Sequence, residues 1–347
     1  MKQRVKPQRL RPGARIAVIA PSSGLAKQFP AVYRRGVSNL KKVFGFDVVD
    51  MPTVGMSSEE LSAAPRKRVD DIHTAFADKA IDGIFTAIGG DDSVRLLPLI
   101  DPSVALSNPK PIMGSSDATT FLSYLSMMGL NTFYGPAVMS GLAQTENYPN
   151  EFVHHVKSFF FDDWSSYDYA PYPRFTHGYK DWSNPAAAAA CKPFHKNPGP
   201  HVLQGSRPAT GRLWGGCIEV LEFLKGTAYW PQSDFWNDVV LFLETSEEKP
   251  PPRWVGYFLR NYALQGVFSR IKALLIGRPK DYTDEESARL KQIVKTVVAE
   301  ESGAVDLPVI MDLDFGHTDP KLILPLGGRI EVDPTGPRLE LLESPFA

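Results

Sequence analysis

Up to Pro136 the chain repeats one unit: a short apolar run, a stop rich in Gly, Pro or Ser, and then a stretch with helical spacing. Arg15–Ala20 ends at Pro21-Ser22-Ser23-Gly24, and Tyr33–Phe44 follows as a helix. Asp47–Met51 reads as a short strand and 59–79 as a helix. Gly83–Ile88 is a strand closed by Gly89-Gly90, with 92–99 helical behind it. Pro111–Gly114 is a strand stub, 118–128 a helix, and Thr132–Tyr134 a last strand before Gly135-Pro136. Strand–helix alternation of this kind predicts βαβ units and a parallel sheet covered on both faces. Chemistry in such a sheet sits at the carboxyl ends of its strands, which makes the residues after each apolar run the first candidates for a site.

The alternation stops near Asp163. Seven prolines lie between Pro171 and Pro208, among many aromatics and the run Ala186–Ala190. The alanines could form a helical turn, but the prolines forbid a long helix. So long an irregular stretch is a functional loop or a linker. Beyond it, Gly211–Gly216 precedes a helix over 218–225. Strands are expected at Asp238–Leu243, Ile271–Ile276 and Pro308–Leu313, and a helix at Trp254–Leu264. Thr283-Asp-Glu-Glu286 is a capping box opening a helix to about Glu301. The tail from Ile323 reads as short strands. One core rarely grows past ~250–300 residues, and the chain has 347. The expected division is an N-terminal α/β domain over 1–165, a substrate loop and linker over 166–209, and a C-terminal domain over 210–347.

A formal net charge of −1 argues against a broad nucleic-acid or anionic-membrane surface. No stretch reaches the ~18–20 apolar residues of a membrane span. The run Ile16–Ala20 is too short for a secretory signal core of ~7–15 residues. Cys191 and Cys217 are too few for a disulfide framework. A cytoplasmic protein is expected.

Four segments could carry chemistry. Gly114-Ser115-Ser116-Asp117 lies between a strand and a helix, where a turn can expose a nucleophilic serine and the helix start offers N–H groups to an oxyanion. Ala118 replaces the second glycine of a full nucleophile elbow, and taken alone this segment is better read as helix capping by Ser116 and Asp117. Gly89-Gly90-Asp91-Asp92 lets backbone approach a ligand, or is simply a tight turn. Glu244 ends the most apolar strand of the second half. His317 follows a strand through Gly316, whereas the other six histidines show no ligand spacing. With no H-E-x-x-H and no Cys/His cluster, neither a metal site nor a cofactor is expected.

In order and spacing these segments resemble the LD-carboxypeptidase family of serine peptidases. The resemblance runs from Leu10-Arg-Pro-Gly13 and Ile19–Ser23 through Gly89-Gly90, Ser116-Asp117 and Phe133–Pro136. It continues through Gly211–Gly216 and Leu241–Glu244 to Gly316-His317. It implies a Ser116–Glu244–His317 triad, with an oxyanion hole of main-chain N–H groups at Asp117 and the Gly89-Gly90 turn. It also implies an N-terminal parallel-sheet domain related to class I glutamine amidotransferases, a smaller β-rich C-terminal domain, a site between them, and a homodimer.

Three positions depart from the family pattern. Ser115 stands where an aromatic is frequent, Cys217 where Asn is frequent, and Ile88 where the murein-recycling enzymes carry Arg. Ile88-Gly-Gly90, Trp214-Gly-Gly216 and Gly226-Thr227 look more like the microcin C immunity subgroup, which cleaves an aminoacyl–sulfamoyl adenosine amide. Trp182 on the long loop would then stack on adenine, or it anchors the loop. The expected substrate is a peptide-like or aminoacyl-nucleotide amide, with Ser115, Trp182 and Cys217 near it. The alternative is a murein tetrapeptide. The rival classes are a two-domain small-molecule binding protein and a cysteine enzyme using Cys217.

Overall fold

The computed structural model describes all residues except 1–3, 185, 186 and 188. The helical turn considered for Ala186–Ala190 therefore falls partly outside the described residues.

Five strands of the first half form a parallel sheet: β1 (Arg15–Ile19), β2 (Asp47–Asp50), β3 (Gly83–Thr86), β4 (Ile112–Gly114) and β5 (Thr132–Tyr134). Their spatial order is β2-β1-β3-β4-β5. The strand order reverses between β1 and β3, and a crevice opens outside their carboxyl ends. β1, β3, β4 and β5 are almost wholly buried, as strands covered on both faces must be.

The second half builds a separate sheet. In chain order its strands and a small flanking hairpin are β6 (Tyr167–Asp168), β7 (Arg174–Thr176), β8 (Phe194–Lys196), β9 (His201–Gln204), β10 (Ala209–Cys217), β11 (Val239–Glu244), β12 (Ala273–Gly277) and β13 (Val309–Leu313). The tail adds β14 (Leu324–Leu326), β15 (Arg329–Asp333) and β16 (Arg338–Leu341). Four parallel strands, β10 to β13, form the centre, and β6, β16, β15 and β9 flank them antiparallel. β7 and β8 form a two-stranded sheet of their own, and Thr176 of β7 also bridges to Asp319. β14 leaves its own half and pairs antiparallel with β5, becoming the sixth strand of the first sheet.

The expected elements are present, with boundary shifts that have local causes. The helix expected over 59–79 is two helices, Ser58–Ala63 and Pro65–Ala77. Pro65 cannot donate to the preceding turn, so the chain restarts there. Residues 93–99 form a 3₁₀ rather than an α-helix, with Pro98 inside it. The capping box forms as read: Thr283 Oγ1 accepts from the Glu286 N–H, and the Glu286 carboxylate accepts from the Thr283 N–H. The α-helix it opens ends at Lys295 and continues as a π-helix to Glu301. No helix is long and apolar enough to cross a membrane among the described residues.

Candidate functional site

The two sheets turn their carboxyl ends toward each other, and the chemistry-bearing residues meet there. Ser116 follows β4 through extended Ser115 and begins the 3₁₀ turn Ser116–Ala118 that leads into the helix Thr119–Met128. Its φ is +60°. Non-glycine residues rarely take this left-handed conformation, and it is costly enough to mark a functional turn. The turn survives because its surroundings fix it. The Ser116 N–H donates to the Tyr134 hydroxyl at 2.9 Å. Asp117 is buried, and its carboxylate accepts from the Ser93 N–H at 2.9 Å while its carbonyl accepts from Ser93 Oγ at 2.7 Å. Burial, against the pull of these hydrogen bonds, raises the Asp117 carboxyl above its ordinary value.

Gly89 lies against the serine. A Cβ at this position would meet Ser116 Cβ at 2.8 Å and Oγ at 3.0 Å, so only glycine fits. The Gly89 carbonyl accepts from Ser23 Oγ at 2.6 Å, across the reversal point of the strand order. In a trans peptide the following N–H points the opposite way, so the Gly90 N–H is turned from Ser23. Among the described residues neither the Gly90 nor the Asp117 N–H has an acceptor.

Glu244 ends β11, and Cys217 is its register partner at the end of β10. The Glu244 carboxylate is buried and divides its two oxygens. Oε1 accepts from the Tyr134 hydroxyl at 2.5 Å, and Oε2 meets His317 Nδ1 at 2.7 Å. Gly316 makes this approach possible. Its φ is +101°, and a Cβ there would come within 2.6 Å of Glu244 Oε2. Tyr134 thus ties the amide of one candidate residue to the carboxylate of another. Sequence reasoning passed over it, although its place at the end of β5 was the available signal.

The other imidazole nitrogen is occupied as well. His317 Nε2 lies 2.7 Å from Glu247 Oε2, and among the described residues no hydrogen bond joins it to Ser116 Oγ. Burial disfavours the imidazolium, but Glu244 and then Glu247 outweigh it and push His317 up to about 10. Burial likewise opposes the Glu247 charge, and His317 outweighs it, holding that carboxyl down to about 2. Glu247 follows Ser246, whose N–H and Oγ both donate to Glu219 at 3.0 and 2.7 Å. The far side of this turn is held by a Lys249–Glu286 ion pair at 2.8 Å and a Tyr282 hydroxyl bond to the Pro250 carbonyl. Glu247 was also missed, three residues beyond Glu244 in the same short loop.

The remaining sequence candidates fall around this centre. Ser115 is buried, and its carbonyl accepts from the Ala118 N–H. Cys217 is buried, its N–H donates to Thr119 Oγ1 at 3.1 Å, and its thiol faces Glu219 at 3.5 Å. Burial, then Glu244 and Glu219, push that thiol well above its ordinary value, the reverse of what a nucleophilic cysteine needs. Trp182 is buried and stacks on Tyr179 with centroids 4.0 Å apart, edge-on to Phe29. Among the described residues its indole N–H has no partner. Ile88 is buried beside the glycines. Arg95 binds Asp92 and Ser62. Next to the Gly89-Gly90 turn a cavity of about 520 Å³ runs from Ser22 and Ser23 past Glu59 and Asp91 to Glu247 and Glu248. Among the described residues no group of three or more His, Cys, Asp or Glu side chains is placed to hold a metal ion.

Comparison with known proteins gives the same two halves. The LD-carboxypeptidase N-terminal domain matches residues 16–135, and the LD-carboxypeptidase C-terminal domain matches 210–332. A putative carboxypeptidase of Vibrio cholerae is 28% identical, with 92% of each chain covered. The microcin C7 self-immunity protein MccF of Escherichia coli is 27% identical over 90% of this chain and 88% of its own. A murein tetrapeptide carboxypeptidase of Pseudomonas aeruginosa is 24% identical over 87% and 88%. The solved structure of microcin C7 self-immunity protein MccF in complex with aspartyl sulfamoyl adenosine superposes with a TM-score of 0.87. It covers 99% of this chain and all of that one at 23% identity.

Proposed function

The chain belongs to the LD-carboxypeptidase family, and on that premise we propose that it hydrolyses an amide by a Ser116–His317–Glu244 triad. The observation that carries this reading is the doubly held Glu244, bonded to His317 Nδ1 and, through Tyr134, to the amide of a strained serine turn.

Neutral His317 takes the Ser116 proton on Nε2 as Oγ attacks the carbonyl carbon. Glu244 holds the tautomer with the proton on Nδ1 and stabilises the imidazolium that forms. The free N–H groups of Gly90 and Asp117 receive the developing oxyanion. The Ser116 N–H is committed to Tyr134, so it takes no part in that pocket. The imidazolium then protonates the leaving amine, and water releases the acyl group by the same route in reverse. In this conformation Glu247 holds Nε2, so the first proton transfer requires that carboxylate to move away.

The substrate we favour is an aminoacyl amide whose leaving part is a large planar or nucleotide-like group. Buried Ile88 offers no bidentate partner for a free C-terminal carboxylate. The hydroxyl of Tyr179, on the loop that carries Trp182, is pushed above its ordinary value first by burial and then by the charge of Glu247. For Trp182 to stack on a base, the loop must first free a face of the indole from Tyr179. The test compares kcat/KM for an aminoacyl sulfamoyl adenosine and a murein tetrapeptide, using wild type and Trp182→Ala. A better rate on the tetrapeptide, with no selective loss on the adenosine compound in Trp182→Ala, would make the chain an ordinary LD-carboxypeptidase.

A further inference from the structure

We propose that Ser23 is a positioning residue for the reaction: its hydroxyl fixes the peptide between Gly89 and Gly90 and so aims the Gly90 N–H at the oxyanion. The proposal rests on the hydrolase reading above and adds to it a residue that acts through the main chain.

The peptide that supplies this N–H has little of its own to hold it. The last main-chain bonds at this end of β3 lie at Ala87, whose N–H donates to the Ile19 carbonyl at 2.8 Å and whose carbonyl accepts from the Met139 N–H at 2.9 Å. Past Ile88 come two glycines in succession. Neither has a Cβ, so the peptide plane between them turns at little steric cost. Among the described residues no main-chain N–H donates to the Gly89 carbonyl, and the Gly90 N–H has no acceptor. The one bond that fixes the plane comes from a side chain: Ser23 Oγ donates to that carbonyl at 2.6 Å.

Ser23 is presented by a loop that is itself held on both sides. Arg68 Nη1 donates to the Pro21 carbonyl at 2.9 Å, from a side chain with 0% exposure. The Gly24 N–H donates to Ser58 Oγ at 3.0 Å. The Arg68 guanidinium also reaches Asp92 at 3.2 Å, two residues beyond Gly90. The loops after β1 and β3 are thus clamped together, with the Ser23 bond at the glycine turn itself.

That turn lies between Ser23 and the nucleophile. A Cβ at Gly90 would meet Ser22 Cβ at 3.0 Å and Ser23 Cβ at 3.1 Å, whereas one at Gly89 would stand 3.0 Å from Ser116 Oγ and 3.5 Å from the Asp117 nitrogen. Carbonyl and N–H point opposite ways in a trans peptide, so a carbonyl drawn to Ser23 turns the Gly90 N–H toward Ser116. The bond acts on strength as well as direction, because a carbonyl that accepts a hydrogen bond polarises its peptide and makes the N–H a better donor.

The test uses the whole chain and whichever of an aminoacyl sulfamoyl adenosine and a murein tetrapeptide wild type cleaves faster. Deleting an oxyanion donor costs about 10²–10³-fold in kcat; Ser23→Ala keeps the donor and loses its aim, so kcat should fall about tenfold or more, with KM within about threefold of wild type. Ser23→Thr keeps the hydroxyl, and its kcat should stay within about threefold of wild type. A readout without turnover is affinity for a boronic acid carrying the acyl group of that substrate. Ser116 Oγ adds to its boron to give a tetrahedral anion, and the Oγ proton passes to His317. Ser23→Ala should weaken this binding by the factor it removes from kcat/KM. Binding of the intact substrate to Ser116→Ala should be the same with and without Ser23→Ala. An unchanged kcat in Ser23→Ala makes the bond incidental and overturns the proposal. A loss in KM alone makes Ser23 a substrate contact and overturns it too, as does an equal loss in Ser23→Thr. All three outcomes leave the hydrolase reading in place while Ser116→Ala is inactive. Near-normal turnover in Ser116→Ala overturns that reading and this proposal with it.

Discussion

At the residue scale the serine turn and its tyrosine brace decide most. Ser116→Ala should abolish turnover and leave the fold intact, with a residual ~10³–10⁴-fold acceleration over water from the oxyanion pocket and binding. Near-normal turnover would remove Ser116 as nucleophile. Tyr134→Phe removes the hydroxyl that serves both Glu244 and the Ser116 amide. A buried carboxylate oxygen then loses its donor, which costs about 1–3 kcal/mol. Both a lower kcat and an earlier denaturation midpoint are expected, read by steady-state kinetics and urea titration. An unchanged kcat would make Tyr134 a purely structural brace. Ser116, Glu244 and His317 stand out as candidates because each follows an apolar strand and together they resemble a family pattern. Tyr134 also follows one, but a tyrosine among Phe133, Gly135 and Pro136 reads as core until its hydroxyl is seen between two other groups. Glu247 has no periodic signal at all, since exposed loop carboxylates are common and only its distance to His317 sets it apart.

Among the elements, backbone requirements are the sharper test. Gly316→Ala would put a methyl into the Glu244 carboxylate at a φ that alanine avoids. Activity should fall more than stability, because the first casualty is the Glu244–His317 bond. An alanine variant with wild-type kcat would show that the loop has room to give. Thr283→Ala removes one side of an intact capping box and should cost about 1 kcal/mol, typical of a lost N-cap. Thermal melting should show this as a small drop, with kcat unaffected because the variant keeps the Thr283 N–H bond to Glu286 and leaves the Lys249–Glu286 pair in place. The sequence exposed this cap fully, since its two hydrogen bonds depend only on residues three apart. It exposed the break at Pro65 less well, because the helical spacing runs on through 59–79. It gave no sign that the helix after Asp284 would widen into a π-helix from Thr296.

For the whole molecule, the C-terminal tail is one of several ties between the first sheet and the rest, beside the Tyr134–Glu244 bond and the pairing of β14 with β5. Phe346 stacks on Phe133 of β5 with centroids 5.1 Å apart, Asn131 donates to the Pro345 carbonyl, and the Ala347 N–H donates to the Pro7 carbonyl. Phe346→Ala should destabilise the fold by roughly 3–5 kcal/mol, the cost of emptying a packed aromatic site. A shift in urea midpoint much smaller than this would mean the tail is dispensable. The parallel sheet of the first half was readable from strand–helix alternation, whereas the second half, expected to be β-rich, has four parallel strands at the centre of its sheet. The pairing of β14 with β5 was not readable, because a three-residue strand carries no address for a partner that lies almost two hundred residues upstream.

That exchanged strand has a thermodynamic consequence. β14 begins seven residues after His317, so the histidine loop is anchored in β13 of one sheet and in the edge of the other. Neither sheet can come apart without dragging the edge or the histidine of its neighbour. Heating should therefore give a single calorimetric endotherm, with a van't Hoff enthalpy equal to the calorimetric one, although chains of this size often melt in stages. Two resolved endotherms would mean that the exchanged strand peels away first and that the halves melt as separate units.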